Sequence, residues 1–303
     1  MQFGQAYGIS NSKGIPSESE IEAILETALA NGVDMLDTAP AYGASETILG
    51  RLLNISKEFC IVTKTVPLNN NIDNQSPRDS ILRAFEQSLA RLQTDHVYGL
   101  MIHLAEDLLG ESGDVVWRTL EEIQTSASAK LIGTSCYTGS ELTTILSRYP
   151  ISLVQAPFNI FDQNLLHKGL LADLSAGNVE FHARSIFLQG LAFMSPENLP
   201  AGFSSAQEPL KLFRTAAKKV HLTPLELALR FVASVSEVDR MVVGVTDRIE
   251  LQEIISALDS SLPRSIDTAA LAVSDLNVVT PSRWPPDQST SWDFDFSPPN
   301  NPE

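Results

Sequence analysis

Two hydrophobic rhythms alternate along this chain. Short apolar runs, each ended by a polar residue, predict buried strands of a parallel sheet. Longer stretches with apolar residues three and four apart predict amphipathic helices packed on that sheet. The runs fall at 33–36, 58–64, 97–103, 130–135, 152–156, 179–184 and 240–244, with a glycine-bearing stub at 1–8 as an eighth candidate. The stub reads as a first strand cut short, which leaves open whether Met1 is the natural start.

The helices between the runs carry their own start and stop signals. Ser17-Glu18-Ser19-Glu20 has the form of a capping box; Ile21, Ile24, Leu25, Ala28 and Leu29 follow at helical spacing, and Asn31-Gly32 ends them. Ile48, Leu49 and Leu52 share one side of a helix over 46–53. Ser76-Pro77 opens a helix that runs to residue 92 and buries Ile81, Leu82, Phe85 and Leu89. A helix over 114–126 turns Val115, Leu120 and Ile123 inward. Others are predicted at 139–149, 165–175, 209–220, 224–234 and 248–258, with one more outside the sheet at 267–279.

Nearly every strand candidate is followed by a helix, which predicts a (β/α)8 barrel over residues 1–284. No G-x-G-x-x-G turn follows any run, which argues against a doubly wound dinucleotide-binding sheet. From residue 281 the composition shifts to proline and acids, and 285–303 is expected to be a disordered acidic tail.

Composition narrows the partners. Of 303 residues 43% are hydrophobic, enough for a large core, and 21 basic against 37 acidic residues give a formal net charge of −16. Such a surface repels phosphate backbones and anionic membranes, so neither nucleic acid nor membrane is an expected partner. Cys60 and Cys136 have no disulfide or metal-ligand spacing and suit a reducing cytoplasm. No apolar run approaches the roughly 20 residues of a membrane span, and the first residues lack the basic region and apolar core of a secretory signal, so a cytoplasmic location is expected. His96, His167, His182 and His221 show no ligand spacing, and no metal site is expected.

Four polar residues change the picture from fold to chemistry. Asp37, Tyr42, Lys64 and His103 fall at or just after the carboxyl ends of three successive strand candidates, where a barrel collects side chains at one mouth. Taken singly, Asp37 reads as a helix cap, Tyr42 as a loop aromatic and His103 as a core histidine. Lys64 is the odd one, since lysine is seldom buried without a partner. Together they make a proton donor. A phenol holds its proton up to a pH near 10, a neighbouring ammonium favours phenolate, a carboxylate keeps that ammonium charged, and an imidazole can orient a carbonyl oxygen.

The chain resembles the aldo-keto reductases. The resemblance rests on Asp37-Thr38-Ala39-x-x-Tyr42-Gly43-x-Ser45-Glu46 with Leu49-Gly50, then Val62-Thr63-Lys64 and Ile102-His103. Ile132-Gly133-Thr134-Ser135, Leu153-Val154-Gln155, Ala228-Leu229-Arg230-Phe231 and Val242-Val243-Gly244 follow in order. It implies a barrel that reduces small aldehydes and ketones with NADPH or NADH. Tyr42 would be the general acid, Lys64 and Asp37 its tuning pair, and His103 the orienting residue. By the same resemblance Ser135 and Gln155 hold the nicotinamide carboxamide, Cys136 stands where asparagine is usual, and Arg184 takes the place of a stacking aromatic. Ser185, Leu188 and Gln189 would lie along the pyrophosphate. Gly244, Arg248, Glu250 and Ile254 fall at the adenosine phosphate, where the acidic Glu250 leaves NADPH and NADH equally open. Two other functions fit the same residues: a nucleotide-sensing or scaffolding barrel, motivated by Cys136, Arg184 and the truncated first strand, and a Schiff-base aldolase using Lys64, which would need that amine neutral. Substrate and oligomeric state are not legible in the sequence.

Overall fold

The computed structural model describes residues 3–4, 14–68, 76–200 and 202–284. Seven parallel strands form one sheet in sequence order: β1 (Met35–Asp37), β2 (Cys60–Lys64), β3 (Val97–Ile102), β4 (Ala129–Ser135), β5 (Leu153–Pro157), β6 (Glu180–Arg184) and β7 (Arg240–Met241). The helices α1 (Glu18–Ala30), α2 (Ser45–Arg51), α3 (Leu53–Ser56), α4 (Pro77–Leu92), α5 (Glu106–Leu109), α6 (Gly113–Thr125) and α7 (Gly139–Arg148) connect or cover the first strands. They are followed by α8 (Asn164–His167), α9 (Leu170–Ala176), α10 (Gln207–Lys219), α11 (Pro224–Ala233), α12 (Arg248–Ala257) and α13 (Leu276–Val279). The alternation is that of the expected (β/α)8 barrel. Of the eighth strand candidate only Phe3 and Gly4 are described, in a turn with Phe3 buried; the rest of 1–8, residues 69–75 of the loop after β2, and the tail 285–303 lie outside the described residues. Among the described residues β7 does not pair with β1, and Arg240 spans from β7 to Asp34, just before β1, with Nη1 3.0 Å from Oδ1.

Local chemistry accounts for most helix ends. Ser17 accepts from the Glu20 amide, and Ser76 accepts from the Asp79 amide with Pro77 at the first helical position. Thr138 and Thr223 head full capping boxes with Glu141 and Glu226. Inside, alternate strand residues face either the helical layer or the barrel axis. Leu36, Leu100, Ile102, Val154 and Phe181 belong to the core shared with the helices, while Val62, Met101 and Leu153 pack together separately.

Four predicted elements differ from those observed. Val115 is exposed, and α6 buries Val116 and Trp117 instead, because these lie four and three residues before Leu120 and share its stripe. The helix predicted at 165–175 is two helices, broken at Gly169, whose φ of 74° no helix continues. The helix predicted at 267–279 shrinks to a 3₁₀ turn at Ala269–Leu271 and to α13, because Val273 donates its N–H to Phe161 O at 2.8 Å and Asp275 caps a new start. The predicted strand at 240–244 shortens to β7, although Val242 still donates to Ala183 O. Cys60 opens β2 half-buried rather than sitting in the core. Trp284 is buried, packs edge-on to Phe203 and donates to Val278 O at 3.2 Å.

Gly133 shows how closely the strands approach where the site is built. A Cβ there would lie 1.7 Å from Leu153 O, a backbone atom that cannot move aside. Gly133→Ala is therefore expected to cost more than about 4 kcal/mol, measured by urea unfolding. A loss below 1 kcal/mol, on the order of a surface substitution, would show that β4 and β5 are spaced otherwise.

Candidate active site

The site begins with a carboxylate that ends a strand. Asp37 is the last residue of β1, and Lys64 the last of β2, so the parallel register Asp37↔Val62 places both side chains at the same end of the sheet. Lys64 is 2% exposed, and its ammonium donates to Asp37 Oδ1 and Oδ2, each at 2.8 Å, and to Thr38 O at 3.1 Å. All three of its N–H bonds are thus taken. Gln155 on β5 donates to the same Asp37 Oδ1 at 2.7 Å, so one carboxylate ties three strands together.

Burial and charge oppose each other in this pair. Burial works against ionised Asp37, but the Lys64 ammonium and the hydrogen bonds from Lys64 and Gln155 outweigh it and hold the carboxyl below the usual range. Burial also lowers the Lys64 pKa, and Asp37 resists that shift. The pair is a neutral unit in which neither charge survives without the other.

Tyr42 sits on the turn between β1 and α2. Its amide donates to Ala39 O at 3.0 Å, and Gly43 follows at φ 58°, a conformation favoured by glycine. The Lys64 ammonium lies 5.1 Å from the centroid of the Tyr42 ring. His103, just past β3, meets that ring edge to face at a centroid distance of 6.0 Å, and its own amide donates to Thr65 Oγ1 at 3.2 Å. Burial, then the Lys64 charge, pushes His103 down to about 3, so its imidazole is neutral at physiological pH. The structure therefore brings Asp37, Tyr42, Lys64 and His103 together at one end of the barrel.

Behind them stands a residue that belongs to the sequence motif but carries no predicted role. Glu46 is buried on α2, accepts from Thr63 Oγ1 at 2.6 Å, and pairs with Arg91 of α4 at 2.7 Å. It fixes the strand residue next to Lys64 against two helices. Its signal was available in the sequence as a glutamate inside an otherwise apolar helix face.

The residues expected around a dinucleotide fall along the same rim. Ser135 ends β4 and is paired in register with Gln155. The Cys136 thiol is fully buried, which pushes it up to about 12; only its backbone carbonyl meets Arg184, whose Nη2 lies 3.3 Å away. Arg184 stacks on Tyr137, with Cζ 4.2 Å from the ring centroid. Beyond it the chain bends sharply: Ser185, Leu188 and Gln189 have φ of 57°, 46° and 53°, and Gly190 follows at 99°. Left-handed backbone at non-glycine residues costs about 1–2 kcal/mol each. Buried Asn159, which sequence reading missed, holds the bend by donating to Ser185 O at 3.0 Å while its Oδ1 accepts from the amides of Phe161 and Asp162. Gln189 Oε1 and Arg184 Nε are buried there with no partner. A strained backbone and the orphaned Gln189 oxygen fit a group that donates hydrogen bonds, as the hydroxyls and amide of a dinucleotide do.

Gly244 precedes α12, Arg248 and Glu250 lie in its first turn, and Ile254 is buried in its second half. Around its start Glu20 accepts from the Arg248 amide at 2.8 Å, Asp247 from the Glu250 amide at 2.9 Å, and Glu250 from the Thr246 amide at 2.7 Å. Among the described residues no cluster suited to a metal ion occurs, and no helix is long and apolar enough to cross a membrane.

A sequence profile of the Aldo/keto reductase family matches residues 1–268. Aldo-keto reductase YhdN of Bacillus subtilis is 30% identical over 164 residues, which cover 50% of this chain and 47% of that protein. Oxidoreductase YdhF of Escherichia coli is 27% identical over 169 residues, 52% of this chain and 55% of that protein. The chain spans about half the length of the curated relatives it matches. The solved holo form of aldo-keto reductase AKR11C1 from Bacillus halodurans superposes with a TM-score of 0.70 at 20% identity, covering 86% of this chain and 91% of that one. At that identity the likeness supports the barrel fold alone.

The Lys64–Asp37 pair yields a direct test. Asp37→Asn leaves a buried ammonium without its counter-charge and is expected to cost about 3–5 kcal/mol at pH 7. The variant's Lys64 must then ionise on unfolding, so its deficit should narrow as pH rises toward the value of free lysine. Urea unfolding at pH 7 and 9.5 measures both; a deficit that is absent, or that does not change with pH, would contradict the pairing.

Proposed function

The chain belongs to the aldo/keto reductase family, and from that premise we propose that it reduces an aldehyde or ketone to an alcohol with NADH or NADPH, Tyr42 acting as general acid. The observation that carries this reading is the buried Lys64–Asp37 pair against the face of Tyr42. When bound, a reduced nicotinamide supplies the hydride that forms the new C–H bond. The protein's own residues handle the oxygen. Neutral His103 donates an N–H to the carbonyl oxygen and polarises it, but with its pKa near 3 it carries no acidic proton to give at neutral pH. Tyr42 gives its proton to that oxygen as charge develops there. The phenolate left behind is stabilised by the Lys64 ammonium until solvent returns a proton.

The same contacts count against a Schiff-base role. Lys64 uses all three N–H bonds on Asp37 and Thr38, whereas imine formation needs a neutral amine with a free lone pair. Ser135, Gln155, Ser185, Leu188 and Gln189 are the residues that would hold the dinucleotide, and the face of Arg184 not taken by Tyr137 would flank its nicotinamide, leaving the N–H edge for another ligand. Around the start of α12 the carboxylates of Glu20, Asp247 and Glu250 already accept from the amides of Arg248, Glu250 and Thr246, so a 2′-phosphate there would meet three acids against the one Arg248 side chain. Like charges repel there, which supports NADH over NADPH.

Two measurements follow. Tyr42→Phe is expected to lower kcat by about 10²- to 10⁴-fold, the usual contribution of a general acid, while the NADH dissociation constant from fluorescence quenching stays within about threefold. Near-normal turnover would remove Tyr42 from the mechanism. In the unmodified protein NADH is expected to bind at least about tenfold more tightly than NADPH, roughly 1.4 kcal/mol; tighter binding of NADPH would contradict the reading of α12.

A further inference from the structure

Lys64 is neutralised by Asp37 and His103 is neutral, whereas Arg184 on the same rim has no carboxylate partner among the described residues. Arg184 ends β6, opposite Pro157 in register. Its Nη2 reaches the carbonyl of Cys136, the residue after Ser135, and the register partner of Ser135 is Gln155, which donates to Asp37, so the guanidinium stands on the same rim as the tetrad. Its contacts are thin. Nη1 donates to Ser185 Oγ and Nη2 to Cys136 O, both at 3.3 Å, one face lies on Tyr137, and Nε is buried without a partner. No carboxylate of the described residues reaches it, in a chain with 37 acidic residues.

The other arginines drawn at least partly inward are better satisfied. Arg91, Arg230 and Arg240 pair with carboxylates at 2.7, 2.7 and 3.0 Å; Arg214, whose Nε is likewise buried without a partner, makes two short bonds to backbone carbonyls at 2.7 and 2.8 Å where Arg184 makes two at 3.3 Å. A half-buried guanidinium with weak neutral partners is an anion site awaiting its anion. Its planar fork suits a carboxylate, and a carboxylate fixed there would leave a carbonyl on the same molecule free to meet Tyr42 and His103.

We propose that Arg184 binds a carboxylate carried by the substrate, so that the enzyme acts on oxo acids and carboxylated aldehydes in preference to uncharged carbonyl compounds. This rests on the reductase reading, and the alternative source of the anion is a phosphate of the dinucleotide.

The test compares 4-carboxybenzaldehyde with benzaldehyde as substrates, and benzoate with benzamide as non-reacting ligands of the NADH-saturated protein, the latter by calorimetry. In the wild type both carboxylated probes are expected to be favoured by about 10- to 100-fold, the range of a charge-assisted hydrogen bond. Arg184→Met is expected to bring both ratios to near unity, and Arg184→Lys, which keeps the charge, to retain part of them. Ratios near unity in the wild type, or ratios that survive Arg184→Met, would overturn the proposal. So would a large loss of NADH affinity in Arg184→Met with the ratios unchanged, which would assign the guanidinium to a cofactor phosphate. A benzoate preference that depends on Arg184, with no aldehyde reduced at all, would uphold the anion site and reject the reductase reading.

Discussion

One ion pair governs the mouth of this barrel. Lys64 and Asp37 are both buried, and each would be expensive alone, so the fold keeps them only as a unit. The unit also ties the structure together. Asp37 ends β1, Lys64 ends β2, and Gln155 reaches the shared carboxylate from β5. What makes the lysine useful beside a phenol is the same thing that makes it tolerable inside a protein: a fixed counter-charge that holds it protonated without leaving the pair with net charge. Neutral His103, edge to face with Tyr42, completes the compartment, and Arg184, stacked on Tyr137, stands farther along the rim.

The rim shows a second kind of constraint, in the backbone. Three non-glycine residues between 185 and 189 adopt left-handed conformations, and Asn159 ties their first carbonyl to the loop after β5. Strain of this kind persists when the surroundings over-determine it, and it collects where a ligand must be met by backbone groups. The orphaned Gln189 Oε1 and Arg184 Nε occur on the same stretch. The strongly acidic surface therefore says little about the pocket. Net charge describes the field at a distance, whereas the tetrad holds a lysine and a carboxylate that cancel each other.

Much of this was legible in the chain, and the rest was hidden for identifiable reasons. Asp37, Tyr42 and Lys64 stood out because a strand end is a local signal and because a lysine closing an apolar run needs explaining. The barrel followed from the alternation of runs and helical stripes. Hidden were the interactions made by closure of the sheet: Gln155 meets Asp37 across 118 residues of sequence, and no spacing rule connects them. Asn159 acts through side chain to backbone bonds, which composition does not betray. The strained bend shows in sequence chiefly as Gly190, since Leu188 and Gln189 are not turn-formers and Ser185 is a weak one. Errors of face and length came from reading short periodicities. Val115 lies one position off the stripe of α6, and the apolar residues at 267–279 are divided by a backbone bond from Val273 to Phe161.

The central claim, that the lysine at this mouth serves reductive chemistry, is tested most directly by following the transferred hydrogen. A carboxylated aldehyde would be incubated with NADH carrying deuterium at the reactive nicotinamide carbon, and the alcohol product read by proton NMR. The account predicts one deuterium on the carbinol carbon with the wild-type protein and almost none with Lys64→Met. An alcohol without label, or a Lys64→Met variant that transfers deuterium as fast as the wild type, would contradict it.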